Sequence, residues 1–199
     1  MKRLFIAINL PQDIKRRLTQ IITQIDTNIF LRKSASSPHE STFRWLPPEN
    51  WHLTLIFLGY QPDEAIGPIL EVLKETAKNF QAPFIEFEKI IFAPSNKPLR
   101  MIWLTGSKKT SQTLAAIKKN LEDTLIKNGV RFHLENRGYN AHLTLARFST
   151  PPQNSEGKLL NYPITQSPIF FIAQSLDLME SHLHRTGAEY EILSSAQFK

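Results

Sequence analysis

Residues 49–60 are ENWHLTLIFLGY, and the tetrapeptide HLTL returns in GYNAHLTLARFS at residues 138–149. The two histidines, His52 and His142, are 90 positions apart (142 minus 52). The apolar residues around each copy are typical of a β-strand, so we predict one HLTL strand in each half of the chain. The repeat is consistent with an internal duplication, although the halves share too little other sequence to establish one.

Strand geometry divides the tetrapeptide into two faces. Successive side chains of a strand point to opposite sides, so His52 and Thr54 share one face while Leu53 and Leu55 share the other. The leucines are expected to anchor the strand in a core, which leaves an imidazole and a hydroxyl together on the opposite face. The second copy repeats this arrangement with His142, Leu143, Thr144 and Leu145.

Two histidines that face one groove can act as an acid–base pair. A neutral imidazole can take a proton from water while an imidazolium gives one to a leaving oxygen. A threonine hydroxyl can bind a non-bridging phosphate oxygen. The pattern therefore indicates attack on a phosphodiester without a metal or another cofactor. A single H-x-T on a strand is weak evidence, because both residue types also occur on half-exposed strands without any function; the duplication favours a functional site.

Arg147 follows the second tetrapeptide by two positions. Regular alternation would place it on the leucine side, but a bulge or a strand end would turn it toward the groove. A guanidinium offers a fork of donors that matches phosphate. The alternative is a structural ion pair or a surface charge.

Other residues give weaker indications. His182 and His184 form an H-x-H, but a zinc site needs further ligands and no sequence pattern identifies them, so no metal is predicted. Trp45 is a candidate for stacking on a base by its proximity to the first motif alone. Arg44 and Arg100 precede strands that could border the groove. For each of these residues taken singly, a structural role is favoured.

The composition is that of a basic globular protein. There are 24 Lys and Arg residues against 18 Asp and Glu, a formal charge of +6, which favours a polyanionic partner such as RNA, with a mildly basic protein as the alternative. The basic residues are scattered, so a phosphate-binding surface must be assembled by folding. The absence of cysteine fits a cytoplasmic protein. The opening apolar run is interpreted as a strand rather than a signal peptide, and no segment predicts a membrane span.

The element pattern predicts an α+β fold. Helices are expected from Pro11, from about Pro62 or Asp63, and over residues 109–128 with Gly129 as the stop. Strands are expected between these helices, and two final strands over 169–180 and 188–193. No linker of the kind that separates independent domains is visible, so residues 1–199 are predicted to form a single domain.

The chain resembles the two-histidine (2H) phosphoesterases, and within them the RNA 2′,3′-cyclic phosphodiesterases of the LigT/ThpR type, historically called 2′–5′ RNA ligases. The resemblance covers nearly the whole chain. It rests on the order and spacing of five segments: RLFIAINLP, FRWLPPENWHLTLIFLG, LRMIWL, AHLTLAR and LMESHLHRTGAEYEIL. One departure is Ala141, which stands where the family usually has proline.

The resemblance implies a bilobal fold of two pseudo-symmetric, intertwined lobes, mainly antiparallel sheet with helices outside, and one H-x-T motif per lobe at a central groove. It implies that His52 donates a proton to the departing 3′ oxygen and that His142 activates water. It further implies that Thr54 and Thr144 hold phosphate oxygens, assisted by Arg147. The product would be a 2′-phosphate end.

The expected partner is RNA that ends in a 2′,3′-cyclic phosphate, such as a tRNA half, or a small cyclic nucleotide. A monomer without a cofactor is expected. Two alternatives use the same groove. One is 2′–5′ ligation, the reverse reaction, in which the two histidines exchange roles. The other is an RNA-end-binding protein without turnover, against which the presence of both histidines argues.

Overall fold

A computed structural model of the chain describes residues 1–30, 43–94, 98–148, 162–163, 168–185 and 187–199. This part contains three α-helices: α1 (Gln12–Phe30), α2 (Ile66–Asn79) and α3 (Lys108–Lys127). It also contains ten strands: β1 (Lys2–Asn9), β2 (Phe43–Trp45), β3 (His52–Gln61), β4 (Phe84–Ala93), β5 (Met101–Gly106), β6 (His142–Phe148), β7 (Tyr162–Pro163), β8 (Phe170–Ile172), β9 (Ser175–His184) and β10 (Gly187–Gln197).

The strands form two antiparallel sheets. The first has four strands in the order β10-β9-β1-β3. The second has six, in the order β2-β6-β5-β4-β7, with β8 also paired to β4. The predicted α+β class with mainly antiparallel sheet is confirmed. Each sheet mixes strands from distant parts of the chain, because β1 pairs with β3 on one side and with β9 of the C-terminal hairpin on the other, while β2 pairs with β6.

The helices bury the apolar stripes that their periodicity predicts. Helix α3 is capped at its N-terminus by Ser107, whose hydroxyl accepts a hydrogen bond from the Thr110 N–H. It ends before Gly129, which has a φ of +75°, as a left-handed C-terminal stop requires. The buried residues of its stripe include Leu114, Ile117, Leu121 and Leu125.

The C-terminal strands differ from the prediction. The sequence predicts one strand over 169–180, but β8 ends at Ile172 and pairs with β4, whereas β9 begins at Ser175 and pairs with β1 and β10. Between them the Ala173 N–H donates to the Pro83 carbonyl as the chain passes from one sheet to the other. Both strands are rich in apolar residues, so the sequence shows no break. The predicted loop at 33–42 and most of the predicted connection 149–168 lie outside the described residues.

The strands β3 and β6 lie beside each other although they belong to different sheets. Two hydrogen bonds fasten the surrounding segments. The Tyr139 hydroxyl donates to the Thr54 carbonyl over 3.0 Å, and the Leu46 N–H donates to the Leu145 carbonyl over 2.8 Å. Burial raises the pKa of Tyr139, so this hydroxyl stays protonated and can donate.

Within the described residues, no helix combines the length and the apolar character that crossing a membrane would require.

Candidate active site

The two HLTL tetrapeptides have the alternation that strand geometry predicts. The four leucines of the motifs are at most 3% exposed, whereas the histidines and threonines are half-buried. The match continues further, because residues 51–58 and 141–148 share one order of buried, half-buried and exposed positions. The two segments therefore share a pattern of burial as well as the tetrapeptide itself.

Each histidine is held by the same backbone contact. The Nδ1 of His52 lies 2.9 Å from the Asn50 carbonyl oxygen, and the Nδ1 of His142 lies 2.8 Å from the Asn140 carbonyl oxygen. A carbonyl can only accept, so Nδ1 carries the proton and donates. In the neutral ring the lone pair is then on Nε2. Sequence analysis missed this contact, although an asparagine stands two positions before each histidine and extends the repeat to N-x-H-L-T-L.

A β-bulge follows the threonine in both strands. In β3, Thr54 pairs with Ala7 and Ile56 with Ile6, so Leu55 has no counterpart. In β6 the same break leaves Leu145 without a counterpart in β5. Two consecutive residues of a bulge point to the same side, which reverses the alternation beyond it.

The bulge in β6 explains the position of Arg147. Leu145 and Ala146 are both buried, and Arg147 is exposed on the face that His142 and Thr144 share. The sequence predicts this placement only if β6 bulges or ends there, and the bulge is present. The equivalent position in β3 is Phe57, an aromatic side chain that is 57% exposed.

His52 is enclosed by aromatic rings. Its ring centroid lies 4.9 Å from that of Phe5 and 4.9 Å from that of Tyr190, which it meets edge to face. The pKa of His52 is lowered to about 4, chiefly by burial and to a smaller extent by the positive charges of Lys15 and His142. His52 is therefore neutral at pH 7 in the free protein.

His142 has a different neighbour. It stacks on the Trp103 indole with ring centroids 3.9 Å apart and ring planes 28° apart. Burial lowers the pKa of His142, and the charge of Arg137 acts in the same direction. The buried Nε1 of Trp103 has no hydrogen-bond partner among the described residues.

The two histidines lie on neighbouring strands, and the charge of His142 makes a small contribution to the lowered pKa of His52. In each strand the threonine two positions after the histidine lies on the same face as that histidine. These threonines are Thr54 and Thr144. The structure thus brings the two H-x-T motifs to neighbouring strands that are not paired in one sheet.

Ala141, which stands where the family usually has proline, makes two backbone hydrogen bonds. The Ala141 N–H donates to the Ser111 hydroxyl over 3.1 Å, a bond that proline could not make. The Ala141 carbonyl accepts from the Gly106 N–H over 2.8 Å. These two bonds hold the backbone just before His142 without a proline ring.

The other sequence candidates lie at the edge of the site or away from it. Trp45 packs against the main core, so its surroundings favour the structural interpretation. The Arg100 carbonyl accepts a hydrogen bond from the Phe148 N–H at the end of β6.

The H-x-H pair lies in the C-terminal hairpin. His182 Nε2 is 3.3 Å from a Glu191 carboxylate oxygen and 4.0 Å from a Glu180 oxygen. These three residues are close enough to share a cation, which the sequence pattern did not indicate. The Lys2 ammonium already binds the Glu180 carboxylate, so this group is an ion-pair network with its own cation.

Comparisons with known proteins agree with these features. Residues 8–103 match the family model described as LigT like Phosphoesterase, a stretch that includes the first H-x-T motif. The chain is 26% identical to a Bacillus subtilis protein named RNA 2′,3′-cyclic phosphodiesterase, with 94% of this chain and 92% of the relative covered. It is also 26% identical to a Thermotoga maritima protein of the same name, with 99% and 96% covered.

Solved structures share the fold. The crystal structure of E. coli LigT complexed with 3′-AMP superposes with a TM-score of 0.71 at 20% identity, covering 100% of this chain and 98% of that one. The crystal structure of TT0787 from Thermus thermophilus superposes with a TM-score of 0.69 at 21% identity, covering 98% and 97%. The chain is therefore similar in sequence to the LigT-like phosphoesterases over residues 8–103, and over nearly its whole length it shares the fold of the solved LigT structures.

Proposed function

We propose that this protein hydrolyses the 2′,3′-cyclic phosphate at the end of an RNA strand to a 2′-phosphate, by acid–base catalysis and without a metal ion. The observation that carries the proposal is the matched pair of histidines. Each donates from Nδ1 to an asparagine carbonyl, and each belongs to a strand beside the other motif. The names of relatives that are 26% identical support the same substrate class.

The two histidines have opposite tasks in this proposal. Nε2 of neutral His142 takes a proton from water as the water oxygen bonds to phosphorus. The bond from phosphorus to the 3′ oxygen breaks, and the His52 imidazolium gives its Nε2 proton to that oxygen. The resemblance to the family assigns these directions. The same ring opening with a 5′-hydroxyl in place of water would join two strands through a 2′–5′ bond, which is ligation.

The pKa of His52 sets a condition on this assignment. A donor must be protonated, yet burial lowers the pKa of His52 to about 4 in the free protein. A phosphate within about 4–6 Å favours the imidazolium and raises the pKa by roughly 1–3 units. We therefore propose that substrate binding itself protonates His52. His142 would then remain neutral, since a second imidazolium beside the first is disfavoured.

The phosphate is held by groups on the same faces. The Thr54 and Thr144 hydroxyls are positioned by the alternation that exposes the histidines, and Arg147 follows beyond the bulge in β6. Hydroxyl and guanidinium donors would bind the non-bridging oxygens and stabilise the additional negative charge of the transition state.

An assay in EDTA tests the proposal. A 5′-labelled oligonucleotide ending in 2′,3′-cyclic phosphate is incubated with the metal-free protein, and the products are separated. The expected product is the 2′-phosphate oligonucleotide alone. Accumulation of joined strands would indicate ligation, and tight binding of the oligonucleotide without product would indicate an end-binding protein. Activity that disappears in EDTA and returns with a divalent cation would contradict the metal-free mechanism.

A further inference from the structure

Two arginines face each other across neighbouring strands at the edge of the candidate site. Arg44 in β2 is directly opposite Arg147 in β6, and both are exposed. Like charges in this position destabilise a strand pair. Among the described residues neither guanidinium has a carboxylate within ion-pair distance. An anion bound between them would remove this repulsion.

The Arg44 guanidinium rests on a glycine of the other sheet. A Cβ placed on Gly187 would overlap Nη2 of Arg44 and lie 3.0 Å from its Cζ, so the guanidinium lies directly against Gly187. Gly187 also has a φ of +136°, which other residues rarely adopt. Arg44 therefore extends from the six-stranded sheet to the start of β10 in the four-stranded sheet.

The same region of β10 is fastened to the first motif. The Asn50 side-chain amide donates to the Ala188 carbonyl over 3.0 Å, and the Asn50 carbonyl accepts from His52. Arg44 thus contacts Gly187, which directly precedes the residue bound by Asn50. Across the strand pair, Arg44 lies opposite Arg147 in β6, the strand that carries His142. Arg44 therefore lies between the segments that carry the two histidines.

We propose that Arg44, seated on Gly187 beside Arg147, binds the phosphate that joins the last two nucleotides of the RNA strand. The inference rests on the proposed function, which places the terminal cyclic phosphate at the histidines. The next anion of such a substrate is the 5′ phosphate of the terminal nucleotide, and a guanidinium fork matches it. The preferred substrate is then an oligonucleotide rather than a cyclic mononucleotide, which lacks this phosphate.

Two adenosine ligands that differ by one phosphate test the inference without turnover. Calorimetry measures the Kd of adenosine 2′-phosphate and of adenosine 2′,5′-bisphosphate for the wild type and for Arg44→Gln. We expect the wild type to bind the bisphosphate at least about tenfold more tightly. Arg44→Gln should weaken bisphosphate binding by about tenfold, as loss of one charge-assisted contact does. Its affinity for the monophosphate should change by less than about twofold. Arg44→Lys should recover part of the loss.

The control is Arg131→Gln. Arg131 is exposed, and its carbonyl accepts from Gln61 at the end of β3 opposite His52. This variant should bind both ligands as the wild type does. Equal losses for the two ligands in Arg44→Gln would show that Arg44 only braces the hairpin, and unchanged binding of the bisphosphate would also overturn the inference. The calorimetry measures binding and does not depend on turnover. If the bisphosphate bound tightly but the protein hydrolysed no 2′,3′-cyclic phosphate, the proposed function would be contradicted and the phosphate subsite at Arg44 would stand.

Discussion

The two H-x-T strands have the same backbone but different neighbours. In both, an asparagine carbonyl accepts from the histidine Nδ1, and a bulge follows the threonine at the same offset. The residue exposed after the bulge is Phe57 in one strand and Arg147 in the other. The histidines, which would transfer protons, are therefore duplicated. The residues exposed after the bulge, which would meet the rest of the substrate, differ between the two strands.

The surroundings of the histidines differ in the same way. His52 lies between Phe5 and Tyr190, and His142 lies face to face with Trp103. The same backbone therefore holds two imidazoles that are covered by different aromatic rings, and burial lowers both pKa values. The predictions below test how far the equivalence of the two strands extends.

Loss of either histidine should have the largest effect. We expect His52→Gln and His142→Gln each to lower kcat by about a thousandfold, within the usual range for a general acid or base. Glutamine keeps a polar side chain, so the far-ultraviolet circular dichroism should match the wild type. A variant that retains near-wild-type turnover would remove that strand from the mechanism.

The pH dependence of stability should distinguish the strands next. The pKa of His52 is about 4 in the folded protein and about 6.5 when unfolded, so the unfolded chain binds the proton first as the pH falls. The stabilisation is present above about pH 6.5 and lost progressively down to about pH 4, by on the order of 2–3 kcal/mol. Denaturant unfolding of wild type and His52→Gln at each pH measures the difference. Parallel pH profiles for the two proteins would contradict the assigned pKa.

The threonine hydroxyls should show a smaller effect that is similar in both strands. Thr54→Val and Thr144→Val keep the shape of the side chain and remove its donor, so we expect kcat/KM to fall by about tenfold to a hundredfold. Thr→Ser at either position should retain most activity. A loss in one strand only would show that a single hydroxyl holds the phosphate.

Phe57 should give the smallest effect. Its exposed ring on the groove face can stack on the terminal base, so Phe57→Ala should raise KM by about fivefold with little change in kcat. Tyr60→Ala is the matched control, because Tyr60 is similarly exposed near the far end of the same strand. Equal effects of the two substitutions would argue against a specific role for Phe57.

Much of the fold follows from local pattern in the sequence. Leu53 and Leu55 alternate with polar residues and are buried as expected, and Gly129 ends α3 because it tolerates a positive φ. The placement of β8 and β9 in different sheets was not predictable, because their apolar residues suit either sheet. Pairing partners depend on distant segments that a local pattern does not specify.

The site was predictable in its residue types but not in its fine geometry. Alternation alone placed each histidine with its threonine. The bulge that turns Arg147 could be stated only as a condition, since no glycine or proline marks it in the sequence. The sequence does not predict the contact between Arg44 and Gly187, because the two residues are 143 positions apart (187 minus 44). They meet only because the two sheets pack together.

The most direct test of one shared acid–base site is the double variant His52→Gln/His142→Gln. Its kcat on an oligonucleotide with a 2′,3′-cyclic phosphate end is compared with the kcat values of the two single variants, in EDTA. Residues that act as a unit are not additive, so the double variant should be no more than a few times slower than the slower single variant. Losses that multiply to about a millionfold would show that the histidines act independently and would contradict the shared site.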